Sequence, residues 1–234
     1  MDDSSDEPRQ DQRAKLLAVA RRALEDSGPE VLRARALTAE AGTSTQALYT
    51  LFGGMPGLIE AIVADGFDEL ARYVAAVPES EDPVADFFAK GWAYGEWALA
   101  HPHLYRLMFG LTDGGLRQHA GLEMAVSGAV ANSPEAQGAV DVLVRSMSRV
   151  EQSGRIESVD PVVAAGQFLS ATHGYVLLEI AGAFGPSGDG LGIMRPLAIN
   201  LMVGLGDGRA TATSSLEAVE ASKSAAEGSG PPGR

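Results

Sequence analysis

The stretch LTAEAGTSTQALYTLF, residues 37–52, constrains this chain more than any other. Leu37, Ala41, Leu48 and Phe52 are apolar at positions that can close a small core between two crossed helices. Thr38 is small and lies four residues before Gly42, so the second helix can approach the first, and Gly42 permits the sharp turn between them. Thr43 or Ser44 can cap the second helix, and Thr43 with Gln46 fits a capping box. The exposed face of that helix then carries Thr45, Gln46, Tyr49 and Thr50. This is the helix-turn-helix pattern, whose second helix enters the major groove of double-stranded DNA. The spacing fits equally well two helices that merely pack in an all-α protein.

The rest of the chain reads as helices with clear stops. Leu16, Leu17, Val19, Ala20, Ala23 and Leu24 have amphipathic spacing from Asp11 onward, ended by Ser27-Gly28-Pro29. Short helices follow at 33–40 and 44–52, and Pro56 suits the first turn of a longer one reaching Val77. Beyond the acidic linker 78–83, helices are expected at 84–100, 103–111, 134–153, 161–184 and 193–205, with 112–133 unassigned. No alternating strand appears. The expected fold class is all-α: an N-terminal three-helix helix-turn-helix domain at 11–58 and a larger helical domain at 59–206. Residues 1–10 and 207–234 are poor in apolar side chains and read as disordered tails, with a frayed helical piece allowed at 216–221.

Composition bounds the function. No run approaches a membrane span, and the acidic start MDDSSDEPRQDQR is not a signal peptide. With no Cys, disulfides and thiolate metal sites are excluded, and a reducing cytoplasm is the expected compartment. The net charge of −13 opposes nucleic-acid binding. Its distribution softens the objection, because Arg9, Arg13, Lys15, Arg21, Arg22, Arg33 and Arg35 all precede the motif, although no Lys or Arg lies between Arg35 and Arg72. His101 and His103 do not share a helix face, and neither they nor His119 has a supporting ligand set, so no metal is expected. GGMPG lacks the Gly-Lys-Ser/Thr end of a phosphate loop, and Ser127-Gly128 and Ser153-Gly154 lack a nucleophile-elbow frame. No cofactor and no catalytic pair is indicated.

The order T38-A-E-A-G-T-S-T-Q-A-L-Y-T-L-F-G resembles the TetR family of bacterial transcriptional regulators, within residues 11–60. The resemblance implies a homodimeric, all-helical repressor with a small-molecule site in its C-terminal domain. It also implies roles by position. Thr45 and Gln46 face base edges, where Gln can pair with adenine and Thr can touch a thymine methyl. Tyr49 meets phosphate, Thr50 is a further reader, and Arg33 and Arg35 supply phosphate contacts. The family commonly has Ala at Thr38, a capping Ser or Thr at Arg33, and at Met55 a Lys that contacts a DNA phosphate.

In the C-terminal half, GWAYGEWALAHPHLYRLMF (91–109) and FLSATHGYVLLEIAG (168–182) resemble the Trp-His-Gly type of C-terminal domain, with Thr172-His173-Gly174 at the motif. Trp92, Trp97, Tyr105, Met108, Phe109 and His173 have the composition of an apolar ligand pocket, and equally that of a helical core. The last two expected helices are apolar on more than one face, so they need more than one partner. Pairing with their copies across a two-fold axis through Tyr175, Leu178, Leu197 and Leu201 is one solution, and burial within one subunit is the other. Two functional readings therefore stand: a ligand-released DNA-binding repressor, or a helical dimer of the same fold that has lost operator binding. A small-molecule carrier is a third, and leaves the N-terminal helices unexplained.

Overall fold

A computed structural model describes residues 7–111, 134–185 and 190–228. Among these the regular elements are helices only: α1 (Glu7–Ser27), α2 (Ala34–Glu40), α3 (Thr45–Phe52), α4 (Met55–Ala75), α5 (Pro83–Ala100), α6 (Pro102–Met108), α7 (Pro134–Gln152), α8 (Pro161–Ile180), α9 (Leu191–Gly204) and α10 (Arg209–Gly228), with a 3-10 turn at Pro29–Val31. The all-α expectation holds. None of these helices alone is long and apolar enough to cross a membrane. His119 and Ser127-Gly128 lie outside the described residues.

The chain forms two compact units. The first comprises α1 to α3, α4 as far as Glu69, and α6; the second comprises α4 from Leu70, α5, α7 from Gly138, α8, α9 and α10. By contacts, α6 groups with the N-terminal helices. Helix α1 begins at Glu7, not after residue 10. It buries Leu16, Val19, Ala20 and Leu24, the stripe read from the sequence.

Helix α6 docks on this unit through Leu104, Tyr105, Leu107 and Met108, all buried. Close packing against α4 is possible because residue 66 is Gly: a Cβ there would lie 2.8 Å from Met108 Sδ. Phe109 meets Phe67 edge-on at 5.8 Å between ring centroids and Tyr105 at 4.7 Å. His101 Nδ1 lies 2.9 Å from Glu25 Oε1, tying the start of α6 to α1. Tyr105, Met108 and Phe109, expected in a ligand pocket, thus pack within the first unit beside α4.

In the second unit Phe87, Phe88, Met147, Val150, Phe168 and Met202 centre one apolar cluster. Residues 207–234, expected as a disordered tail, instead carry α10. Ala212, Leu216 and Val219 of α10 are buried in that cluster, which supplies the burial that the segment's own low apolar content could not predict.

Ion pairs secure the same unit. Arg155 donates to Asp207 through Nε (3.0 Å) and Nη2 (2.7 Å), and to Asp82 through Nη1 (3.2 Å). The Ser215 hydroxyl, on α10, donates to Asp82 Oδ2 at 2.6 Å. Nearby, Asp86 accepts from the Ser80 N–H and hydroxyl and from Arg149 Nη1 at 2.8 Å.

Burial pushes the Asp86 carboxyl up, but the Ser80 and Arg149 hydrogen bonds outweigh it and hold the group below its ordinary value of 3.8. The Asp207 carboxyl is likewise raised by burial and lowered further by Arg155 and Thr211, for a net fall. Both contributions to stability are complete above the unfolded value and vanish as pH falls through the lower folded values. The melting temperature of the second unit should therefore drop as pH is lowered from about 5 to about 3. Thermal melts followed by tryptophan fluorescence check this, because both tryptophans, Trp92 and Trp97, lie in this unit. A melting temperature constant over that range would contradict the assignment.

Candidate DNA-reading head and ligand cavity

In the first unit, α2 buries Leu37 and Thr38. The Thr38 hydroxyl donates to Ala34 O at 2.8 Å, so Thr fits where the family has Ala without leaving a buried polar group unpaired. The turn is closed by Thr43 N–H donating to Thr38 O at 2.8 Å, with Gly42 at φ 67°. Ser44 is the cap of α3, its hydroxyl accepting from Ala47 N at 3.1 Å. The expected Thr43–Gln46 capping box does not form: Thr43 Oγ1 accepts from Gln12 Nε2 at 2.7 Å, and Gln46 is left exposed. Arg33 precedes α2 without making a side-chain cap, as its departure from the family's Ser or Thr implies.

Leu48 anchors α3, fully buried. Gly53 closes the helix at φ 73°, and α4 leaves at a bend of 58°. The outward face presents Thr45, Gln46, Tyr49 and Thr50. Tyr49 is 62% exposed, the largest value among the exposed large apolar side chains. Its ring leans over Gly54, where a Cβ would come within 3.1 Å of Cε1, so glycine sets the pose of the tyrosine. Thr50 donates its hydroxyl to Gln46 O at 3.0 Å, which ties it to its own helix and leaves its methyl as the outward group.

The charges divide into spent and available. Arg22 pairs with Glu40, and Arg21 with Asp65 and Glu69. Arg33 and Arg35 are exposed and make no ion pair among the described residues. Helix α1 contributes residues that sequence reasoning did not assign to this face. Gln12 binds Thr43, Arg13 stacks 4.9 Å over the Phe52 ring, and Lys15 Nζ lies 3.7 Å from the point a Cβ would occupy on Gly42. Their cluster of polar and basic residues at 12–15 was visible in the sequence; its juxtaposition with the turn required the fold.

The second unit holds a partly open cavity of about 270 Å³, at the small end for small-molecule sites. Its apolar walls include Phe87, Phe88, Trp92, Phe168 and Leu169, and its polar groups include Thr172, Tyr175 and Glu179. Of the expected pocket residues only Trp92 lines it. Trp97 is buried elsewhere in α5, and Tyr105, Met108 and Phe109 belong to the first unit. His173 is half-buried beside Thr172 but does not reach the cavity, and burial lowers its pKa, leaving the imidazole neutral near pH 7. Tyr175, expected on a dimer surface, lines the cavity, stacked on Phe184 at 5.3 Å. Gly190 makes room for that stack, since a Cβ there would lie 2.6 Å from the Tyr175 hydroxyl.

Comparison with known proteins follows both halves of this description. The family described as "Bacterial regulatory proteins, tetR family" matches residues 16–62, the reading head. The family described as "Tetracyclin repressor-like, C-terminal domain" matches residues 87–192. The chain belongs to the tetR family. A tetR-family transcriptional regulator from Pectobacterium atrosepticum is 26% identical, with a TM-score of 0.61, over 83% of this chain and 95% of that one. A protein of unknown function from Rhodococcus sp. RHA1 has the same identity and coverage with a TM-score of 0.65. RolR in complex with resorcinol shares the fold, with a TM-score of 0.60 at 15% identity, over 90% of this chain and 95% of that one. No curated protein matches the chain by sequence. As a tetR-family member it is a transcriptional regulator with DNA-binding and ligand-binding domains, and not an enzyme.

Proposed function

We propose that this tetR-family regulator binds palindromic operator DNA as a homodimer, acts as a repressor, and is released by a small, largely apolar ligand in the second unit's cavity. The observation that carries the reading is the α3 face. Thr45, Gln46 and Tyr49 project outward from a helix pinned by Leu48, by the Ser44 cap and by the Gly42 turn. Arg33 and Arg35, unpaired and exposed, are suited to phosphate, while the uncharged α3 side chains read base edges.

A dimer face on α8 and α9 is supported by exposed apolar groups. Leu178 is 51% and Ile193 52% exposed, and Val163 continues the α8 face. Leu197 and Leu201 are half-buried, with Leu201 packed partly on the subunit's own core. Leu178 and Ile193 are therefore the stronger interface residues. A two-fold dimer would set its reading helices about 34–36 Å apart, one helical turn of DNA. A ligand that favours a different spacing releases the operator by its difference in affinity for the two arrangements.

Enrichment of bound genomic fragments followed by footprinting tests this function. The expected result is a protected site with two-fold symmetric half-sites, and a sedimentation mass of two chains. An asymmetric footprint or a monomer at micromolar concentration would overturn the dimeric reading.

Met55 opens α4 where the family has a phosphate-binding Lys, and it is half-buried. Met55→Lys should tighten DNA binding at all sequences and steepen the dependence of log K on log salt by about one unit. Titrations at several salt concentrations read both. An unchanged slope would mean that residue 55 does not face phosphate. The alternative of a fold that has lost operator binding rests on this residue and on the net charge of −13.

A further inference from the structure

Resting on the reading of the cavity as the ligand site, we propose that its ligand is an organic cation: an aromatic or alicyclic body carrying one protonated amine, held by Glu179. The walls are otherwise strongly apolar, and the charges that border them are accounted for with one exception. Glu96 pairs with Lys223, whose ammonium also sits 4.8 Å over the Trp92 ring. Glu220 pairs with Arg195 at 2.9 Å, and Glu217 lies 3.4 Å from the same guanidinium. Glu179 lines the cavity and makes no ion pair among the described residues. Its Oε2 is buried and has no hydrogen-bond partner among them.

A buried carboxylate oxygen without a partner is costly, and a ligand that brings a charged donor removes that cost as it binds. Among the described lining residues acids outnumber cations: Glu96, Glu179 and Glu220 stand against Arg195, with Lys223 and Glu217 entering only as ion-pair partners of Glu96 and Arg195. An anionic ligand would add to that excess. The Trp92 and Tyr175 rings in the wall suit the apolar body. Thr172 adds a hydroxyl to the lining, buried on the same helix as Tyr175 and Glu179.

The test uses three probes with one aromatic body and different charge: 1-naphthylmethylammonium, 1-naphthylmethanol and 1-naphthylacetate. Each is titrated by calorimetry at pH 7 into the full chain and into Glu179→Gln, whose folding is checked by thermal melting. The ammonium should bind the unaltered protein about tenfold or more tighter than the alcohol, with the carboxylate weakest. Glu179→Gln should weaken the ammonium about tenfold and leave the alcohol within about threefold. Equal affinity for ammonium and carboxylate, or an ammonium affinity unchanged in Glu179→Gln, overturns the proposal. Binding of all three without preference does so while leaving the cavity as the ligand site; binding of none removes both. The comparison of probes on the unaltered protein decides the question even if the variant fails to fold.

Discussion

Arg155→Ala is expected to cost the second unit about 3–5 kcal/mol, the scale for removing one partner from a buried ion pair. The Asp207 side chain is only 2% exposed, and Arg155 reaches it through two nitrogens. The same guanidinium touches Asp82 and Ser215, so it joins the segment before α5 to the α9–α10 connection and to α10 itself. Its loss leaves Asp207 with Thr211 as its one side-chain donor among the described residues and places two carboxylates without their shared cation. The double variant Arg155→Ala/Asp207→Asn should recover part of the loss, because the uncompensated charge is removed with its partner. Denaturant unfolding followed by the fluorescence of Trp92 and Trp97 measures this unit. A cost below about 1 kcal/mol would show the cluster to be a solvated surface pair instead.

Gln46→Ala should lower operator affinity by about 1–3 kcal/mol and relax the preference at one base pair in each half-site. Its amide is exposed and not engaged in the cap, so it is available for paired hydrogen bonds to a base edge. Arg35→Ala gives the contrasting pattern: weaker binding at every sequence and a salt slope reduced by about one unit. Competition binding against a library of single-base operator variants distinguishes the two. If Gln46→Ala leaves the preference profile unchanged, Gln46 does not read bases.

The reading head was legible because its determinants are local. Gly42, Ser44, Leu48 and Gly53 fix a turn, a cap, an anchor and a stop within a dozen residues, and each acts as its side chain dictates. The choice of Ser44 over Thr43 needed the structure, because Gln12 of α1 claims Thr43, and so did the approach of Arg13 and Lys15 to the motif. The cavity was less legible. Periodicity says that Tyr105 and Met108 are buried, but not against which helix, and they face α1 and α4 of the first unit. Tyr175 and Glu179 share an apolar helix in which no spacing rule separates a cavity wall from an interface. Helix α10 was hidden by its Ala- and Ser-rich composition. Ala212, Leu216 and Val219 do lie at helical spacing, yet what orders them is burial against distant α5 and neighbouring α9, together with Ser215 and Asp207 meeting Arg155.

Equilibrium binding of the purified protein to its selected genomic fragment, and to a scrambled version of the same composition, tests the central claim most directly. Sequence-specific regulation by the α3 face predicts affinity about a thousandfold or more higher for the selected fragment near physiological salt, with binding to the scrambled DNA vanishing first as salt rises. Equal affinity for the two fragments, at any salt concentration where both bind, would contradict it.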